Sequence, residues 1–157
     1  HSFPTRRSAD LVDDARFAEV GVKRVELDTL LSSADIVSLH CPLVEETTHL
    51  INRDTIQKMK KGVILVNTSR GPLVKESDLA EALQNEHIVG AGLDVFEEEP
   101  LAQNSVLRTL PNVILTSHAA SVSTRAVDLL QIKAAESARD FVQGRRPESA
   151  LVWPAAL

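Results

Sequence analysis

The 157 residues are 43% hydrophobic and 25% charged, the balance of a soluble globular domain long enough to bury a core. A formal net charge of -5 argues against nucleic acid or an anionic membrane surface as the main partner. No apolar run reaches the ~18 residues of a membrane span, and the single cysteine, Cys41, excludes an intrachain disulfide and suits a reducing, cytoplasmic setting.

Residues 1–11, HSFPTRRSADL, show neither helical nor strand period. They resemble the translation of a DNA-sequencing adapter, differing only at Ala9, and are set apart as a non-native segment. The domain proper is expected over 12–157. DDARFAEVG reads as a short helix stopping at Gly21, and LDTLLSSAD as another, before the strand DIVSLHC. EETTHLI and NRDTIQKMKKG both read as helical, with Asn52 as N-cap of the second and Gly62 just past its end. VILVNTS is a strand. ESDLAEALQNEH is a helix with apolar residues at 79, 82 and 83. IVGAGLDVF is a strand, and EEEPLAQNSVLRTLP a loop with one helical turn. NVILTSH is the fourth strand. A final helix, roughly 122–143, carries an apolar stripe at 126, 129, 130, 134 and 141.

Strands thus begin near 36, 63, 88 and 112, and each gap is long enough for a crossover. That pattern predicts an α/β fold with a parallel sheet built from βαβ units. The unbroken apolar runs VILV and VIL predict helices over both faces of the sheet. Ligands of open parallel sheets gather beyond the carboxyl ends of the strands. Those ends carry His40-Cys41-Pro42-Leu43, then Asn67 to Gly71, then Asp94 with Glu97, Glu98 and Glu99, then Thr116-Ser117-His118. A guanidinium can grip a carboxylate bidentately. A histidine backed by a carboxylate can exchange a proton near neutral pH. The set suits interconversion of a 2-oxo acid and a 2-hydroxy acid. The five histidines show no ligand spacing with one another or with Cys41, so no metal site is expected.

Four motifs, HCPL, LVNTSRGPLV, GAGLDVFEEEP and the histidine after NVILT, occur in one order over most of the chain. Together they resemble the NAD-binding domain of the D-isomer-specific 2-hydroxyacid dehydrogenases, from Val12 to about Trp153. The resemblance implies a partial, Rossmann-like parallel sheet with flanking helices. It also implies an oxidoreductase acting on the CH–OH group of a D-2-hydroxy acid, with NAD as cofactor and NADP left open. By that likeness Arg70 binds the substrate carboxylate and polarises the carbonyl, His118 is the acid/base and Glu99 its carboxylate partner. Asp94 contacts the nicotinamide carboxamide, Thr68 and Ser69 line its pocket, and Cys41 and Pro42 form the loop beside the cofactor; Arg70 and His118 border the same pocket.

The sequence departs from the family pattern at Ser117, at Ala119 to Ser121 and at Lys75, which stands where aspartate is common as a helix cap. Lys75 cannot accept from the helix's free N–H groups, so a modest stability cost is expected. The pyrophosphate-binding G-x-G-x-x-G turn, the ribose-binding acid and the substrate domain are absent from these residues. The expectation is therefore the back half of the nucleotide domain, inactive alone, with the edge of its first strand exposed where the remaining sheet would pair. The longer protein is expected to be a homodimer. The alternative reading is an NAD-sensing, dehydrogenase-like binding protein of the corepressor type, without turnover.

Other residues are read as structural. Glu97 and Glu98 are a solvated acidic run, His49 and His87 surface residues, and Cys41 a small buried filler. Arg145 and Arg146 serve the dipole of the last helix. His40 is open between packing and function.

Overall fold

The computed structural model describes residues 17, 19 and 21–148. Most of the helix read in DDARFAEVG, and all of the segment 1–11, lie outside the described residues. The chain divides after His118 into two compact units.

In the first unit, α1 spans Leu27–Ser33, β1 Ile36–Leu39, α2 Arg53–Lys58, β2 Val63–Asn67, α3 Glu76–Gln84, β3 Ile88–Leu93 and β4 Val113–Leu115. The four strands form one sheet in the order β1-β2-β3-β4, and every pairing is parallel. Each return to the same end of the sheet runs through a helix or, before β4, through a loop with a 3-10 turn at Val106–Thr109. This is the α/β arrangement expected.

One face of the sheet forms the core. Val37, Leu39, Val63, Leu65, Ile88 and Leu93 are buried with Leu31 of α1, Ile56 of α2 and Leu79 and Leu83 of α3. Each such side chain removed from water contributes about 1.5–3 kcal/mol before the entropic cost of ordering it. The opposite face corrects the expectation of helices on both sides. Among the described residues Ile36 is 62% exposed and Ile114 73%. Apolar runs in β2 and β4 therefore do not report two covered faces here. β1 is an edge strand, and no strand among the described residues pairs with its outer side.

Local chemistry accounts for the other departures. EETTHLI is not a helix beyond the 3-10 turn Glu45–Thr47. Thr47 Oγ1 donates to Pro42 O and Thr48 Oγ1 to Val44 O, so the hydroxyls compete for the carbonyls. His49 then adopts φ +53°, which no helix continues. α2 begins as expected: Asn52 Oδ1 accepts from Asp54 N and Thr55 N, and Thr55 Oγ1 accepts from Asn52 N. It ends before Gly62. The backbone turns extended at Met59, whose side chain is buried in the core. Gly62, at φ +89°, serves the turn into β2 instead, its N–H donating to His87 O.

Lys75 caps α3 with no side-chain hydrogen bond, as its chemistry requires. The deficit is met from elsewhere: Glu97, in the loop after β3, accepts from Glu76 N at 3.0 Å. Glu97 and Glu98 are both exposed, as read from the sequence, but Glu97 is in addition tied to the start of the helix.

In the second unit α4 spans Thr124–Val142, with Ser123 Oγ accepting from Ala126 N. Its expected apolar stripe is present but exposed at Leu129, Leu130 and Phe141. Beyond its end Arg145 pairs with Asp140 at 2.6 Å. Among the described residues no helix is long and apolar enough to cross a membrane.

Candidate active site

The register of the sheet sets the site. Asn67, Leu93 and Leu115 are paired neighbours on β2, β3 and β4, so the segments that follow them leave from one edge. Adjacent strands lie about 4.8 Å apart. The loop bearing Arg70 and the one bearing His118 thus start about 10 Å apart, with the loop of Asp94 and Glu99 between them.

The Arg70 loop is shaped by Asn67, which is 1% exposed. Its side-chain oxygen accepts from Ser69 N at 3.1 Å and its amide donates to Arg70 O at 2.9 Å. A buried polar residue at the end of an apolar strand must spend its hydrogen bonds somewhere, and here it folds the loop. Ser69 Oγ donates to Cys41 O, tying this loop to the one after β1. The guanidinium of Arg70 is exposed and donates to Ser69 O. No ion pair among the described residues involves it.

His118 is held at both ends. Its backbone, at φ +53°, donates N–H to Asp94 O at 2.8 Å. Its Nδ1 lies 2.8 Å from Glu99 Oε2, while Glu99 Oε1 accepts from Phe96 N at 3.1 Å. A left-handed backbone is uncommon for a side chain of this size, and the surrounding hydrogen bonds hold it there. The His118 contact first, and the Phe96 N–H second, lower the pKa of Glu99 below the ordinary glutamate range. With Nδ1 engaged, Nε2 is the nitrogen left to exchange a proton with a ligand. Asp94 is 3% exposed and accepts from Thr116 Oγ1.

A cleft opens between the loops after β1 and β2, lined by His40, Cys41, Pro42, Leu43, Ser69 and Arg70. It joins four of the expected cofactor residues, Cys41, Pro42, Ser69 and Arg70. Thr68 is exposed beside it. His40 lines the cleft and its Nε2 lies 2.8 Å from Ser38 Oγ. Burial raises the pKa of Cys41, which suits packing and not nucleophilic attack. Asn67, Thr116 and Gly71 were noted at the strand ends but given no role from the sequence. The signal for Asn67 was its place at the end of VILVN, where a polar residue interrupts an apolar run. A Cβ on Gly71 would lie 1.7 Å from Phe96 O, so the Arg70 and Glu99 loops touch at a point only glycine fits.

The family of the D-isomer specific 2-hydroxyacid dehydrogenase NAD binding domain matches residues 5–120, more than half of the sequence. The chain belongs to this family. The match opens within the segment set apart at the N-terminus. A glyoxylate reductase of Korarchaeum cryptofilum is 46% identical over 129 residues, covering 82% of this chain and 39% of the relative. Glyoxylate/hydroxypyruvate reductase B of Serratia proteamaculans is 52% identical over 101 residues, 64% of this chain and 31% of the relative. The chain therefore spans well under half the length of these curated relatives. Among solved structures, D-lactate dehydrogenase with NAD+ from Lactobacillus jensenii superposes with a TM-score of 0.80 at 28% identity, over 92% of this chain and 47% of that one. As a member of this family, the chain is a portion of a Rossmann-like NAD-binding domain.

Proposed function

We propose that Arg70, Glu99 and His118 are the catalytic residues of an NAD-dependent D-2-hydroxyacid dehydrogenase. The observation that carries this reading is the His118–Glu99 pair, 2.8 Å apart, at the strand edge that also carries Arg70. The residues fit a nicotinamide cofactor: Cys41, Pro42 and Ser69 line a polar-edged cleft with Thr68 exposed beside it, and Asp94 lies buried at the end of the neighbouring strand. When bound, NAD supplies the hydride acceptor or donor. Arg70 grips the carboxylate of the 2-oxo or 2-hydroxy acid and steadies charge on the reacting oxygen. His118 holds a proton at Nε2 for that oxygen during reduction and takes it back during oxidation. Glu99 fixes the ring and supports its charged form. Substrates of the class named for the relatives, glyoxylate and hydroxypyruvate, suit this site, and the longer protein is read as a homodimer.

The test is turnover by the longer protein that contains these residues, followed by nicotinamide absorbance with glyoxylate and hydroxypyruvate. Arg70→Lys keeps the charge and loses the planar fork, so kcat/KM should fall roughly ten- to a hundredfold, the worth of a charged hydrogen bond. NAD binding without any turnover would sink the enzyme reading and leave the corepressor-type one.

A further inference from the structure

We propose that Glu97 is a positioning residue. Its carboxylate, held by His49 and by the N-terminus of α3, clamps the loop after β3 so that Glu99 meets His118. The proposal rests on the reading of Glu99 and His118 as the acid–base pair.

Three segments far apart in sequence meet next to the Arg70 loop. Residues 49–51 are stitched to residues 72–75: His49 N donates to Pro72 O, Ile51 N to Leu73 O and Lys75 N to Ile51 O, at 2.7, 2.9 and 2.8 Å. Glu97 adds the third segment with every polar group it has on that side. Its N–H donates to Glu76 Oε1 at 2.6 Å, and its Oε2 accepts from Glu76 N at 3.0 Å. Its Oε1 lies 2.6 Å from His49 Nε2. An acid serving only solvent has no use for three such anchors. Glu97 and Glu98 are both exposed, so these anchors, not burial, distinguish Glu97.

Geometry links the clamp to the pair. Phe96, one residue before Glu97, donates its N–H to Glu99 Oε1. Phe96 is also the residue whose carbonyl rests on Gly71. Releasing Glu97 frees Phe96 and Glu99 together, and with them the orientation of the carboxylate that His118 requires. The clamp brings two carboxylates, Glu76 and Glu97, side by side; partial burial raises the pKa of Glu76, the Glu97 N–H partly opposes this, and the Glu97 charge adds to it. His49 Nε2 meets the Glu97 carboxylate from the other side, and its left-handed backbone turns at the head of the stitched segment.

The experiment is an NMR titration of the Glu99 carboxyl in the full chain, with amide exchange of β2 and β3 followed in parallel. In Glu97→Ala the Glu99 midpoint should rise toward the ordinary glutamate range while the strands stay protected. Glu97→Gln, whose amide oxygen still accepts from Glu76 N, should keep the wild-type midpoint. His49→Ala, at a side chain 40% exposed, should give a smaller rise in the same direction. An unmoved midpoint in Glu97→Ala with protected strands overturns the proposal. If that variant loses strand protection, an unmoved midpoint in His49→Ala overturns it equally. The readout does not use turnover, so the clamp can fail while the dehydrogenase reading stands, and the reverse.

Discussion

His118 and Glu99 form a pair whose stability signature depends on pH. The folded pKa of Glu99 lies below its unfolded value, because His118 and the Phe96 N–H both favour the carboxylate. The pair's contribution is thus complete above the ordinary glutamate range and is lost as pH falls through the depressed folded value. Glu99→Gln should lower Tm near neutrality and lose that deficit in acid, where wild type is protonated too. Glu99 is 38% exposed, so water screens the pair and the neutral difference should stay under about 1 kcal/mol. Thermal melts across the pH range check this. A deficit that persists unchanged in acid would show that packing, not charge, holds the loop. That these two side chains meet could be expected from the sequence, because the segments after β3 and β4 leave the same edge of the sheet. The anchoring of Glu97 could not: nothing in the run Glu97-Glu98-Glu99 says which acid finds a helix terminus, and its partner Glu76 is remote in sequence.

At the scale of elements, what the sequence revealed depended on whether a segment's conformation is set locally. α2 was legible because Asn52 and Thr55 satisfy its first N–H groups by themselves. The four strands were legible from their apolar runs. EETTHLI misled because a polar run closed by Leu50 and Ile51 fits one short helical turn, whereas the two threonine hydroxyls compete for the carbonyls a helix would use. Gly71 lies at the other extreme. Its need for hydrogen as a side chain arises wholly from Phe96, on another strand's loop. Gly71→Ala must separate the two loops, since a Cβ 1.7 Å from a backbone oxygen cannot be accommodated by a rotamer change. A cost on the order of 3 kcal/mol is expected, or a fall in Tm of roughly 10 °C for a chain of this size. Denaturation of the variant measures it. A Tm within about 2 °C of wild type would mean that the loops yield freely, and that their contact does not hold Arg70 near Glu99.

For the molecule as a whole, the two faces of the sheet are the decisive contrast. One carries the core. The other pairs Ile36 with Ile64 and Gly90 along one row, and Ser38 with Val66, Gly92 and Ile114 along the next. The two glycines leave β3 without side chains there, so isoleucines flank bare backbone on a shallow apolar surface. β1 adds an edge whose hydrogen-bonding groups meet no strand among the described residues. Exposed apolar patches and open edges both favour association between copies. The 157-residue chain should therefore self-associate as its concentration rises, and Ile36→Lys combined with Ile114→Lys should suppress this. Both side chains are more than half exposed, so the double variant should keep its stability within about 0.5 kcal/mol per site. Lysine on β1 and β4 would also repel a second sheet by charge without disturbing the buried face. Sedimentation over a concentration series separates the outcomes. A wild-type mass that climbs while the variant's stays monomeric identifies the isoleucine face as the adhesive surface. Equal association in both directs attention to the β1 edge, whose backbone groups the substitutions leave untouched.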